Sequence, residues 1–256
     1  MQGTLTQADQ IYCGYSIKKR KSFKYFSVFC GVFISIIFII TILTYFFGSK
    51  YDYFSNNVYY MLALDSVEAY KKALEVQEKI QDAGGSGYIF SDNGVFYIIG
   101  FSYQKREDAQ NVAQKLKKYF PNCEILEIET TNIKRKVERE IKREKILFNS
   151  YKILTNIKGI VRDLYDHTLN NISYSFVYKE LEKIKIKIED TLKESNKIKN
   201  NEINNAIKLS LQLSLTLINK TKSNLYDGGD VIQNLRMLLV NLQFEDVSFK
   251  KMLNNI

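Results

Sequence analysis

The chain has no tryptophan, one proline, one histidine and three cysteines among its 256 residues, and each shortage closes off a class of chemistry. With His167 alone and no paired cysteines, no residue set carries zinc-ligand spacing. His167 follows Asp163 and Asp166 in helical register, an outline of an acid–base cluster that an ordinary polar helix face also produces. Glycine is scarce, and no Gly-x-Gly-x-x-Gly or Gly-Lys-Ser/Thr loop is present to cradle a phosphate. Glycoside cleavage would need two carboxylates about 5–9.5 Å apart in a groove, and no spacing points to such a pair. No catalytic residue, no metal site and no cofactor is therefore expected. Asn171-Ile-Ser173 and Asn219-Lys-Thr221 fit the N-glycosylation triplet, a pattern too short to carry weight.

Charge is missing altogether from Phe26 to Phe47, a run of 22 residues behind the basic cluster Lys18, Lys19, Arg20, Lys21 and Lys24. As a helix at about 1.5 Å per residue it covers roughly 33 Å, enough for a hydrocarbon core of about 30 Å. A signal-peptide core is shorter and ends at small residues, whereas Tyr45, Phe46 and Phe47 close this run. A buried core helix would carry a polar stripe. The expectation is an uncleaved transmembrane helix over 26–47, with residues 1–25 as a basic cytoplasmic tail by the positive-inside rule and the remainder extracytoplasmic. Cys13, Cys30 and Cys123 then fall in three compartments, which excludes an intramolecular disulfide.

The net charge of +9 invites a nucleic-acid reading. Five cations against Asp9 place +4 in the tail, and the other +5 is diluted among 27 acidic residues. No nucleic acid partner is expected. Anionic lipid or an acidic wall polymer fits a diffuse excess better, and a solvated surface on lysine-rich helices fits it best.

After a linker over 48–57, residues 58–130 read as strand, helix, strand and then the same again. Tyr59–Leu64 is an apolar, aromatic strand, and Asp65 three residues before Glu68 has capping-box spacing for a helix that stops at Gly84-Gly85. Tyr88–Phe90 turns through Ser91-Asp-Asn-Gly94 into Val95–Ser102. A second helix carrying Ala109, Val112, Ala113 and Leu116 stops at Pro121, before a last strand over Cys123–Ile128. Offset by 36 positions, Leu62 matches Ile98, Leu64 matches Gly100, Ala73 matches Ala109 and Ile80 matches Leu116. This register suggests duplication, although inward-facing positions of any βαβ pair could mimic it. A βαββαβ chain forms a ferredoxin-like four-stranded antiparallel sheet with both helices on one face.

The stretch Phe96-Tyr-Ile-Ile-Gly-Phe-Ser-Tyr-Gln-Lys-Arg-Glu-Asp-Ala109, echoed by Tyr60 to Ala73, resembles the SPOR (sporulation-related repeat) domain. That resemblance covers about seventy residues and implies a membrane-anchored protein of the cell envelope. Its partners would be peptidoglycan glycan strands, bound during sporulation or cell division, and envelope or septal proteins. In that family the uncovered sheet face holds the glycan. Alternation here would put Met61, Ala63, Tyr97, Ile99 and Phe101 on that face. The family's usual glutamine and arginine are replaced by Ala63 and Tyr97, which leaves stacking on Tyr97 but few partners for sugar hydroxyls. Two other readings stay open: that the apolar sheet is a protein-binding patch of an envelope scaffold, and that the carboxy-terminal helices cover it as core.

Residues 131–256 read as an all-α bundle. The apolar stripes predict helices over Ile133–Leu169, Phe176–Ile198 and Ile203–Lys222, and a fourth opened by Asp230 with Gln233. The expected class is α+β: a transmembrane helix, a SPOR-like domain and a helical bundle.

Overall fold

The computed structural model describes residues 53–169, 173–199 and 201–256. The expected tail and the span over 26–47 lie outside the described residues. Among the described residues no helix is long and apolar enough to cross a membrane. Chain order is β1 (Val58–Val67), α1 (Tyr70–Asp82), β2 (Tyr88–Asp92), β3 (Val95–Tyr103), α2 (Arg106–Leu116) and β4 (Glu124–Glu129). Five helices follow: α3 (Arg135–Arg143), α4 (Lys145–Thr168), α5 (Tyr174–Ser195), α6 (Glu202–Tyr226) and α7 (Val231–Asn254).

The four strands form one antiparallel sheet in the order β2-β3-β1-β4. β1 is apolar on both faces, the pattern of a strand covered twice. Leu62 and Leu64 join Ile98, Ala73 and Ile80 in the core beneath α1 and α2. Tyr59, Met61 and Ala63 point the other way. Asn93 (φ 48°) and Gly94 (φ 82°) both adopt the left-handed conformation in the β2–β3 turn, which suits the two-residue hairpin that Asn-Gly favours.

At Gly100 the β1–β3 ladder slips. Leu62 pairs with Phe101, Ala63 with Ile99 and Asp65 with Ile98, so Gly100 and Leu64 are left over against each other. A Cβ at Gly100 would lie 2.5 Å from Leu64 Cδ1, which is why the position carries no side chain. The extra residue reverses the alternation. Phe96 and Ile98 belong to the helix-side core, and beyond the slip Phe101 and Tyr103 belong to it as well.

Two helix boundaries differ from expectation. α1 starts at Tyr70 behind Ala69 without a side-chain cap, because Asp65 stays in β1. The Asp65 carboxylate instead accepts from the Ser66 amide at 2.9 Å and the Asn122 side-chain amide at 3.0 Å. The helix predicted over Ile133–Leu169 breaks at Glu144 (φ −103°, ψ 111°), whose side chain caps the Ile146 amide. The break separates a short, highly charged helix from a long amphipathic one. The starts of α5, α6 and α7 are capped by side chains: Ser173 accepts from Phe176, Asn201 from Asn204 and, as the sequence suggests, Asp230 from Gln233.

α4 to α7 bury an aliphatic core that includes Leu154, Ile157, Ile188, Leu211 and Leu242. α7 is apolar on two sides. Leu235, Leu238, Leu242 and Phe249 face the bundle, whereas Val240, Phe244 and Val247 face the sheet. Sheet and bundle therefore share α7, and residues Tyr53–Ile256 cluster as one unit.

Candidate functional site

The face expected to be open is covered. Met61, Ala63 and Ile99 have no exposed surface and lie beneath Val240 and Phe244 of α7. Phe244 inserts between two rings of β2, with centroids 4.4 Å from Tyr88 and 5.0 Å from Phe90. Tyr97 is half-buried at the rim of this layer, 6.3 Å from the Phe90 ring. Of the five predicted contact residues, three are core, Tyr97 sits at an edge, and Phe101 is rotated away by the slip at Gly100. The cause is physical: an uncovered apolar face of this size gains stability when an amphipathic helix of the same chain buries it.

A buried polar cluster stitches this layer together. Asp246 on α7 pairs with Lys158 on α4 at 2.5 Å and accepts from the Tyr59 hydroxyl at 2.7 Å and from Asn57 at 3.2 Å. Burial alone would raise the Asp246 carboxyl, but Lys158 and Lys250, with the hydrogen bonds from Lys158 and Tyr59, outweigh it and hold the group below the usual carboxylate range. Burial lowers Lys158, against the pull of Asp246, and raises the Tyr59 hydroxyl. Adjacent Glu245, hydrogen-bonded by Ser210, is raised first by burial. Asp246 thus joins β1, α4 and α7, a structural tie.

A cleft of about 490 Å³ opens at the carboxyl end of β3. Its walls are Phe101, Ser102 and Tyr103 from β3, Gln104 and Asp108 at the start of α2, Arg162, Tyr165 and Asp166 from α4, and Arg236 from α7. The Arg236 guanidinium holds it together. It donates to the Tyr165 hydroxyl at 3.1 and 3.2 Å and to the Gly84 carbonyl, and its plane lies 4.5 Å from the Phe101 ring centre. The Tyr103 hydroxyl is pushed up to about 12, chiefly by burial. The Ser102 hydroxyl is buried without a hydrogen-bond partner among the described residues. Aromatic faces beside carboxylate, amide and hydroxyl groups, in a space of this size, suit a small polar ligand or a peptide turn.

No helical period flags Arg236, since it sits between the two apolar stripes of α7. Asp166 lies on the polar face already noticed around His167, but the sequence does not show that this face abuts β3. Among the described residues, no group of three or more His, Cys, Asp or Glu could hold a metal. Cys123 is a free, buried thiol, raised first by burial. No protein-family profile, curated protein or solved structure matches this chain.

Proposed function

We propose that this chain is a single-pass membrane protein of the cell envelope, its amino terminus cytoplasmic, whose SPOR-like sheet serves as a protein-binding scaffold. The observation that carries this reading is the seating of α7, with Val240 and Phe244 on Met61, Ala63 and Ile99. The sheet face where a SPOR domain would take glycan binds protein here, in the form of the chain's own helix. External partners are then left to the bundle surface and the cleft at β3. No chemical step is assigned to the site.

A second reading keeps peptidoglycan glycan as the ligand and moves it from the sheet face to the cleft. The aromatic and hydrogen-bonding walls formed by Phe101, Tyr103, Gln104 and Asp108 favour it. Retention of the solubilised full chain on purified cell-wall sacculi separates the two readings. The scaffold reading expects no retention above background and no change with Tyr97→Ala. Retention that Phe101→Ala abolishes would replace it with the glycan reading, and retention lost with Tyr97→Ala would overturn both.

A further inference from the structure

Among the described residues, a cluster of exposed cations lies where α3, α4 and the α5–α6 connection meet. The end of α3, the start of α4 and the α5–α6 connection enclose a groove of about 940 Å³. Its cations are Lys136, Arg139 and Arg143 from α3 and Lys197 and Lys199 from the connection, all exposed. Only Glu140 and Glu144 oppose them in the lining. Among the described residues Lys197 alone of the five has an ion-pair partner, Glu194. Two lysines of α5 pair along their own helix, Lys183 with Glu180 and Lys193 with Asp190. Ile146, Leu147 and Ile198 also contribute to the lining.

The described chain begins against the same two helices, α3 and α4. Phe54 stacks on Tyr151 with centroids 4.8 Å apart, Tyr53 meets Phe148 edge-on, and Lys142 of α3 lies 4.9 Å over the Phe54 ring. Tyr53 is six residues after Phe47 in sequence. At most about 3.6 Å per residue, that segment reaches no further than about 22 Å. On the anchored reading proposed above, on which this inference rests, the fold that carries the groove is tethered to the membrane through this short segment.

We propose that the groove docks on anionic phospholipid head groups of the membrane that holds the chain. Arg139 and Arg143 supply planar donor forks suited to phosphate oxygens, with Lys136, Lys197 and Lys199 as surrounding point charges. Aliphatic side chains among the cations suit an amphiphile better than a uniformly hydrophilic polyanion. The tether supplies the proximity that a single weak phosphate contact lacks.

The full chain is reconstituted in vesicles of neutral phosphatidylcholine and in vesicles that also contain anionic phosphatidylglycerol. Amide hydrogen exchange is then followed across 136–147 and 197–199. Anionic vesicles slow exchange there at least about fivefold, the effect of one surface charge. The difference disappears in a combined Lys136→Gln, Arg139→Gln, Arg143→Gln, Lys199→Gln variant, while exchange across Leu154–Val161 stays unchanged and reports an intact fold. Equal exchange in the two vesicle types, with the chain resistant to carbonate extraction, overturns docking and leaves the anchor standing. Protection given by a soluble acidic wall polymer in neutral vesicles, without a response to anionic lipid, also overturns it. Release by carbonate removes the anchored reading and this proposal with it.

Discussion

At the scale of single residues, two positions concentrate the physics. Asp246 is a buried carboxylate with a mostly buried cationic partner, and removing one member of such a pair strands the other. Asp246→Asn is expected to cost about 3–5 kcal/mol at neutral pH, measured by urea unfolding of the Tyr53–Ile256 unit. Its folded pKa lies below the unfolded value near 3.9, so its stabilisation is complete above that pH and is lost as pH falls through the folded value. Glu245 acts with the opposite sign. Its folded pKa is raised, so ionisation opposes folding and acidification relieves that penalty. Parent and asparagine variant should therefore share the same pH dependence above about pH 4, and only the parent should lose the Asp246 contribution as pH falls below it. Gly100→Ala forces a methyl onto Leu64 and is expected to cost about 1–3 kcal/mol in the same assay.

At the scale of elements, α7 decides the architecture. Phe244→Ala removes the ring that fills the space between Tyr88 and Phe90 and is expected to cost about 3–5 kcal/mol. It should also speed amide exchange in β1 and β3 more than in α4–α5, which distinguishes loss of the sheet cover from general unfolding. Gln243 on the same helix offers the converse test. It is fully buried, and neither atom of its side-chain amide has a hydrogen-bond partner among the described residues. Gln243→Met keeps the shape, drops the stranded groups and should raise stability by about 1–3 kcal/mol. The strands, both sheet-side helices and the capped start of α7 were legible because they depend on local periodicity and short-range hydrogen bonds. The start of α1 was misread because Asp65 found Ser66 and Asn122 as partners, and the break at Glu144 was missed because no proline or glycine marks it.

At the scale of the whole molecule, the anchored reading is tested by the chain's own partition. The intact protein should remain with membranes through carbonate washing, whereas deletion of residues 26–47 should release it to the soluble fraction. Recovery of the intact protein in the soluble fraction would reverse the orientation and tether arguments together. The proposed ligand face was the least legible part. Alternation along a strand assigns residues to two faces but carries no information on what covers each, and Phe101 escaped even that assignment because of the slip at Gly100.

The βαββαβ order, the antiparallel sheet, the two apolar faces of β1 and the amphipathic helices after residue 131 are local consequences of side-chain spacing, and the sequence alone determined them. The placement of α7 over Met61, Ala63 and Ile99, the pairing of Lys158 with Asp246 and the cleft at Phe101 join residues far apart in the chain. Only the tertiary structure decided these, because burial is a property of what two elements exclude from water together, and neither stripe names its partner.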